Sequence, residues 1–392
     1  MNKIEIRREN GGLGRMPASK DGVVGLLFYV PVTSKDAITK AKGSIWSEGD
    51  IAMLGSTADV DKCGLKGMAD WHANLVLMHL RALYAKNANA QVYVGIYPDK
   101  AHTAYEQVSV MQRYAGGDIR VLGVWEGLVT PTAALVKALQ QAADNLETEQ
   151  MPLSIILSCA GTLTTYKSTN LRLAGQKNVS IVVGMDGDDG LYGKAEESGK
   201  KYNTGIIGML LGMLSLAPVN ESISWVEKYP TGVTKACLND GTPMRELSTA
   251  EVNSLDDNGY IFLTTYPGIA GSYVSDTHTL DEATSDYAHI EDERTMDKAV
   301  RGVYASMVKA LGGKVYASED GSLREDSRAM IEVKASAPIE QMEHDGELSG
   351  YSVEVSGDQV LKDGVVKAVI KNQPTGVVRE LEVSIGYAAS LE

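Results

Sequence analysis

The chain has little cysteine and no pattern in it. Cys63, Cys159 and Cys237 are scattered along 392 residues, so neither a disulfide framework nor a C-x-x-C metal or redox site is readable, and a reducing compartment is expected. The N-terminus lacks the apolar core of a signal peptide, and the longest apolar run, Gly205 to Ala217, is too short to cross a bilayer. Basic residues are also in deficit: 37 Lys and Arg face 51 Asp and Glu for a net charge of −14. That balance argues against nucleic acid and anionic membrane as partners. These absences leave a protein expected to be made, and first to act, in a cytosol, without direct insertion into a membrane.

Complete catalytic signatures are missing too. No G-x-x-x-x-G-K-[ST], no G-x-G-x-x-G after a strand, no H-E-x-x-H and no G-x-S-x-G occurs. The fragments that remain have plainer readings. Asp186, Asp188 and Asp189, followed by Glu196 and Glu197, gather carboxylates as a hard cation requires. However, Gly190 occupies the fifth position of that would-be calcium loop, and a polar loop after a strand is the better reading. Ser158 and Cys159 end an apolar strand, where α/β enzymes often place functional residues. Nothing around Cys159 would lower its pKa, so buried packing is expected. His72 and His79 lie two helical turns apart, too far for an adjacent ligand pair, and read as packing or surface residues. Gly208 and Gly212 suit either a close helix contact or ordinary core packing. No catalytic residue, cofactor or metal is expected.

What is present is an alternation of strands and helices. Candidate strands run over Val23–Val30, Gln91–Tyr97, Ile119–Trp125, Leu153–Ser158, Val179–Gly184, Tyr260–Thr265 and Lys314–Ala317. Helical patterns lie between them, an order that implies an α/β body with a sheet flanked by helices, and the sheet is expected to be mixed. One helix is predicted over Gly67–Lys86, another from Thr130 as N-cap with Pro131 at its first position, and a third over about Glu293–Leu311, stopped by Gly312-Gly313. Ser248/Glu251 and Ser322/Glu325 have capping-box spacing and predict short helices there. A small C-terminal β unit follows, with Tyr351–Ser356 and Val365–Lys371 as strands.

The last stretch, GVVRELEVSIGYA, alternates with period two: Val377, Leu381, Val383, Ile385 and Tyr387 fall on one face, and Val378, Glu380, Glu382 and Ser384 on the other. Polar Lys371–Gly376, with Pro374 and Gly376, separates it from the body as a tether. Near the N-terminus Ile4 and Ile6 alternate briefly before the loosening run Gly11-Gly12-Leu13-Gly14. A body with a tethered strand at each end can lend both to neighbouring copies. The acidic stretch from Asp276 to Asp297 is read either as a solvated entry into a helix N-terminus or as a docking face, centred on Glu291, Asp292, Glu293 and Asp297.

The segment from about Tyr260 to Ala388 resembles the conserved core of contractile-tail sheath proteins. The resemblance rests on Gly271-Ser272-Tyr273-Val274-Ser275-Asp276, on Arg294-Thr295 and Asp297-Lys298-Ala299 opening a long helix, on GYSVEVSG at Gly350–Gly357, and on the closing strand from Gly376. The first two-thirds of the chain resemble that family in organisation only. The resemblance implies four parts: an N-terminal arm over 1–20, an α/β body with a variable outer domain over 21–258, a conserved domain over 259–371, and a linker with strand arm over 372–392. It implies a non-enzymatic subunit that polymerises with itself around an inner tube protein, with baseplate and tail-terminator proteins as further partners. Gly11, Gly12, Gly14, Pro374 and Gly376 would act as hinges while the arms stay paired, and the acidic face would meet the tube. Such a protein would be assembled in a bacterial cytoplasm and end in a virion tail or injection-system particle. The rival readings are another ring or tube component, or an α/β hydrolase using Cys159 or the Asp186–Asp189 loop.

Overall fold

A run that is apolar at every position needs cover on both faces, and β1 (Val24–Val30) has it: all seven residues are buried. In this computed structural model, which describes residues 20–40, 45–46, 50–99, 104–127, 129–188, 191, 203–357 and 360–387, β1 lies inside a seven-stranded sheet. It pairs in parallel with β3 (Val92–Pro98) and β4 (Val121–Glu126). From β4 the sheet continues in parallel through β5 (Ser154–Cys159), β6 (Val179–Val182) and β9 (Tyr260–Ile261). At the other edge β2 (Ile51–Leu54) runs antiparallel to β3. The antiparallel β2 makes the sheet mixed, as expected. β2 had no prediction, because four residues with one β-branched side chain carry no period-two signal.

Glycines mark where helices press on the sheet. A Cβ on Gly123 of β4 would meet Leu211 and Ile207 at 2.7 and 2.8 Å, whereas one on Gly95 of β3 would meet Met111 at 2.7 Å. By the register, these two residues face opposite sides of the pleat. The Ile207–Leu216 helix thus covers one face and the Glu106–Tyr114 helix the other. The Trp71–Lys86 helix packs on the first of these helices so closely that a Cβ on Gly208 or Gly212 would lie 2.3 or 2.5 Å from the carbonyl oxygens of His79 and Leu83. The close-contact reading of those glycines is the one realised. His72 and His79 are buried packing residues, bonded to Ser34 Oγ at 3.0 Å and to the Gly208 N–H at 3.3 Å.

Several local expectations shift. The helix predicted from Thr130 starts at Ala133, because Pro131 is buried and Thr132 is the residue whose hydroxyl accepts from the Leu135 N–H. The capping box at Ser248/Glu251 forms as predicted. The one at Ser322/Glu325 does not: Ser322 bonds Asp320 instead, Arg324 is the N-cap, and the helix is the long Glu325–His344 element rather than a short one. Lys314–Ala317 is not a strand; after the positive-φ Gly312 it makes a single bridge, Ala317 to Leu323. The long helix runs Ile290–Met307 and ends in a 3-10 turn over Val308–Ala310, close to the predicted stop.

Two short antiparallel pairs complete the body: β7 (Gly184–Asp186) with β8 (Ala236–Leu238), and β10 (Leu263–Thr264) with β11 (Tyr273–Val274). Tyr260, Phe262, Leu263, Val274, Leu280 and Ile290 belong to the main core, so the first part of the expected 259–371 unit packs as body. Two smaller apolar clusters form beyond it, around Ala299, Ile339, Met342 and Leu348, and around Leu323, Ile331, Val355 and Val360. They sit between the two long helices and an antiparallel pair, β12 (Leu348–Ser356) with β13 (Lys367–Pro374).

Candidate functional site

An alternating strand has to satisfy its main chain somewhere. The terminal segment does not do so within its own chain: residues 375–387 join no described sheet. Leu381, Val383 and Ile385 are 81%, 76% and 93% exposed, Val377 is half-buried and Tyr387 is exposed. The tether is shorter than predicted, because β13 extends to Pro374, which pairs with Leu348. Of the two hinge residues expected here, Pro374 ends a strand and Gly376 lies in the unpaired segment. The N-terminal arm residues Ile4 and Ile6, with Gly11, Gly12 and Gly14, lie outside the described residues.

The exits from the body lie close together. Lys298 on the long helix pairs with Asp21 at 2.7 Å and with Glu347 at 2.6 Å. Asp21 opens the described chain after Lys20, and Glu347 immediately precedes Leu348, the partner of Pro374. The lysine thus fixes the start of the body against the hairpin from which the C-terminal segment departs. β12 and β13 pair only with each other among the described strands, leaving each an open edge.

Beyond β13 the chain is held by two polar anchors. Asn220 donates to Thr375 Oγ1 at 3.0 Å, and the guanidinium of Arg379 donates to Asp276 at 3.2 Å and to Glu291. These anchors line a cleft of about 670 Å³ with Trp225, Tyr266 and Ser275. Arg379 is the residue the sequence reading missed. It is the one cation of the 376–392 run, and its break in the apolar-and-acidic alternation there was the available signal.

The acidic face requires correction. Glu291, Glu293 and Asp297 are 2%, 1% and 5% exposed, and Asp292 is half-buried, so these four residues form no outward patch. Glu291 accepts from Thr277 and Arg379, and Glu293 from Asn178 at 2.7 Å and Lys177 at 3.2 Å; Asp297 lies 3.9 Å from Arg301. Burial pushes all three carboxyls above the usual carboxylate range, and the charge of Asp297 adds to the effect on Glu293. Three acids in a helical first turn are compatible with the helix dipole. Sequence could not say which way they point. Arg294 is buried too, donating to the carbonyls of Leu214, Ala217 and Pro218 at the C-terminal end of the Ile207–Leu216 helix, where a cation is favoured. That arginine ties the long helix to the body.

The other fragments form no assembled site among the described residues. Cys159 is fully buried, and desolvation raises its thiol pKa, the opposite of an activated nucleophile. The Asp188 N–H bonds Asp186 Oδ1 in a local turn, and Thr234 bonds Asp188 at 3.4 Å; Asp189, Glu196 and Glu197 lie outside the described residues. Among the described residues no helix is long and apolar enough to cross a membrane.

Comparison with known proteins gives a family and a fold. Residues 1–278 match the DUF2586 N-terminal domain and residues 286–392 the DUF2586 C-terminal domain. A search among curated proteins found no match. Among solved structures, the fold is similar to a chain of the anti-feeding prophage (AFP) helical sheath in its contracted state, with a TM-score of 0.59 and 13% identity over 98% of each chain. It is also similar to a chain of the AFP baseplate, with a TM-score of 0.58 and 12% identity over 99% of each chain. At these identities the likeness is one of fold, and the fold is sheath-like.

Proposed function

The chain belongs to the DUF2586 family, and from that membership and its sheath-like fold we propose that it is a structural subunit of a contractile sheath. Subunits polymerise helically around an inner tube protein, joined by exchanged terminal strands, and the lattice later shortens to drive the tube through a target envelope. The carrying observation is the segment after Pro374: a period-two strand sequence that is unpaired and exposed, next to a hairpin with open edges. Pairing it with a neighbour's hairpin would satisfy its main chain and bury its apolar face, at about 1.5 to 3 kcal/mol for each fully buried aliphatic side chain. Exposed cross-strand charge pairs would add only about 0.2 to 1 kcal/mol each and would chiefly set register.

Energy for contraction would be stored in the lattice at assembly, so no nucleotide or cofactor is required. The baseplate likeness supports a second reading, a closed ring built from the same subunit. Negative-stain electron microscopy of the purified chain, alone and with its tube protein, separates the two. Long hollow tubes are expected, and deletion of Thr375–Glu392 should leave a folded body that forms none. Rings of fixed size would favour the second reading. Tubes formed by the truncated chain would refute strand donation.

A further inference from the structure

His278 and His289 form an isolated antiparallel bridge. The flanking bonds run from the Thr279 N–H to the Ala288 carbonyl and from the Ile290 N–H to the Thr277 carbonyl, so the histidines are a non-hydrogen-bonded pair, the kind whose side chains approach most closely. Their rings lie 5.5 Å apart. Asp276 joins them, and the three residues offer ligand atoms all within 4.8 Å of one another.

Each imidazole already has a carboxylate on one nitrogen. His278 Nε2 lies 2.9 Å from Asp256, and His289 Nδ1 lies 3.3 Å from Asp292. Metal-binding histidines are typically oriented in this way, with an outer acid fixing the tautomer and leaving the other nitrogen as a lone-pair donor. For His278 that other nitrogen, Nδ1, is buried without a hydrogen-bond partner on a side chain only 9% exposed. A buried acceptor with nothing to accept from is costly unless a ligand serves it.

We propose that Asp276, His278 Nδ1 and His289 Nε2 bind a late first-row divalent cation of the zinc class. Two imidazoles with one carboxylate select against calcium and magnesium. Ligand atoms on tetrahedral zinc are about 3.3 Å apart, so the Asp276 to His289 Nε2 separation of 3.8 Å has little to close. The fourth position would be left to solvent. Arg379 Nε donates to the same Asp276 oxygen that faces His289. Metal and guanidinium therefore contest one acceptor, and the metal is held more tightly when the terminal segment is withdrawn. The site does not depend on tube formation.

Titration of the full chain with cobalt(II), followed by the visible absorption of tetrahedral cobalt and reversed with zinc(II), tests it. One cobalt per chain is expected, bound about tenfold more tightly by Arg379→Ala and losing its tetrahedral spectrum in His289→Ala. His289 is partly exposed, so that variant should fold, and circular dichroism checks that it does. No tetrahedral spectrum in Arg379→Ala, or one that survives His289→Ala, overturns the site. Equal affinity with and without Arg379 overturns the competition.

Discussion

Two stretches of this chain carry strand-forming sequence and meet opposite fates. Val24–Val30 is buried at every position, with a parallel neighbour on each side. Gly376–Tyr387 has the sharper period-two alternation and no described strand beside it, and Ile385 is 93% exposed. Strand propensity is therefore common to both, and what differs is where the partner is: in the same chain for one, and by our account in the next copy for the other. A sequence pattern can announce that a segment will pair without naming its partner.

The largest separation between the two comes from cutting the same kind of side chain in each. Phe28 is fully buried, and Phe28→Ala should cost the subunit about 3 to 5 kcal/mol, read as a fall in the denaturant midpoint. Ile385→Ala should leave that midpoint unchanged while raising the concentration needed for tubes to form. A stability loss at Ile385 comparable to that at Phe28 would mean that the segment packs on its own body and the contrast is false.

A smaller effect concerns charge. The body buries acids as well as apolar groups, whereas Glu380 and Glu382 of the terminal segment are exposed. Because burial raises the Glu293 carboxyl, the folded state retains a proton that the unfolded state releases. Its stabilising effect is present below the unfolded carboxylate range and is lost as pH rises towards the higher folded value. The melting temperature of Glu293→Gln relative to the unaltered chain should thus increase between about pH 5 and about pH 8. A difference that stays flat across that range would mean that Lys177 and Asn178 already compensate the charge.

Much of the fold was readable. The strands β1, β3, β4 and β5 fell within a residue or two of prediction, and the Ser248/Glu251 capping box formed, whereas Val179–Gly184 and Tyr260–Thr265 each divide between the main sheet and a separate two-stranded pair. What sequence missed shares a physical cause, since each feature depends on contacts between distant residues. β2 is a strand only because β3 offers an edge. Glu291, Glu293 and Asp297 read as a surface patch because their spacing carries no sign of Asn178, Lys177 or Arg379 folding over them. His278 and His289 become neighbours only through a bridge. The alternation of the terminal segment is visible in sequence because it is local, whereas its anchor at Arg379 was not.

Hydrogen exchange along Gly376–Tyr387, measured in free subunits and again in assembled tubes, tests strand donation most directly. The account predicts amides that exchange freely in the subunit and become strongly protected in the tube, together with protection along an edge of β12 or β13. Amides equally exposed in both states, or already protected in the isolated subunit, would contradict it.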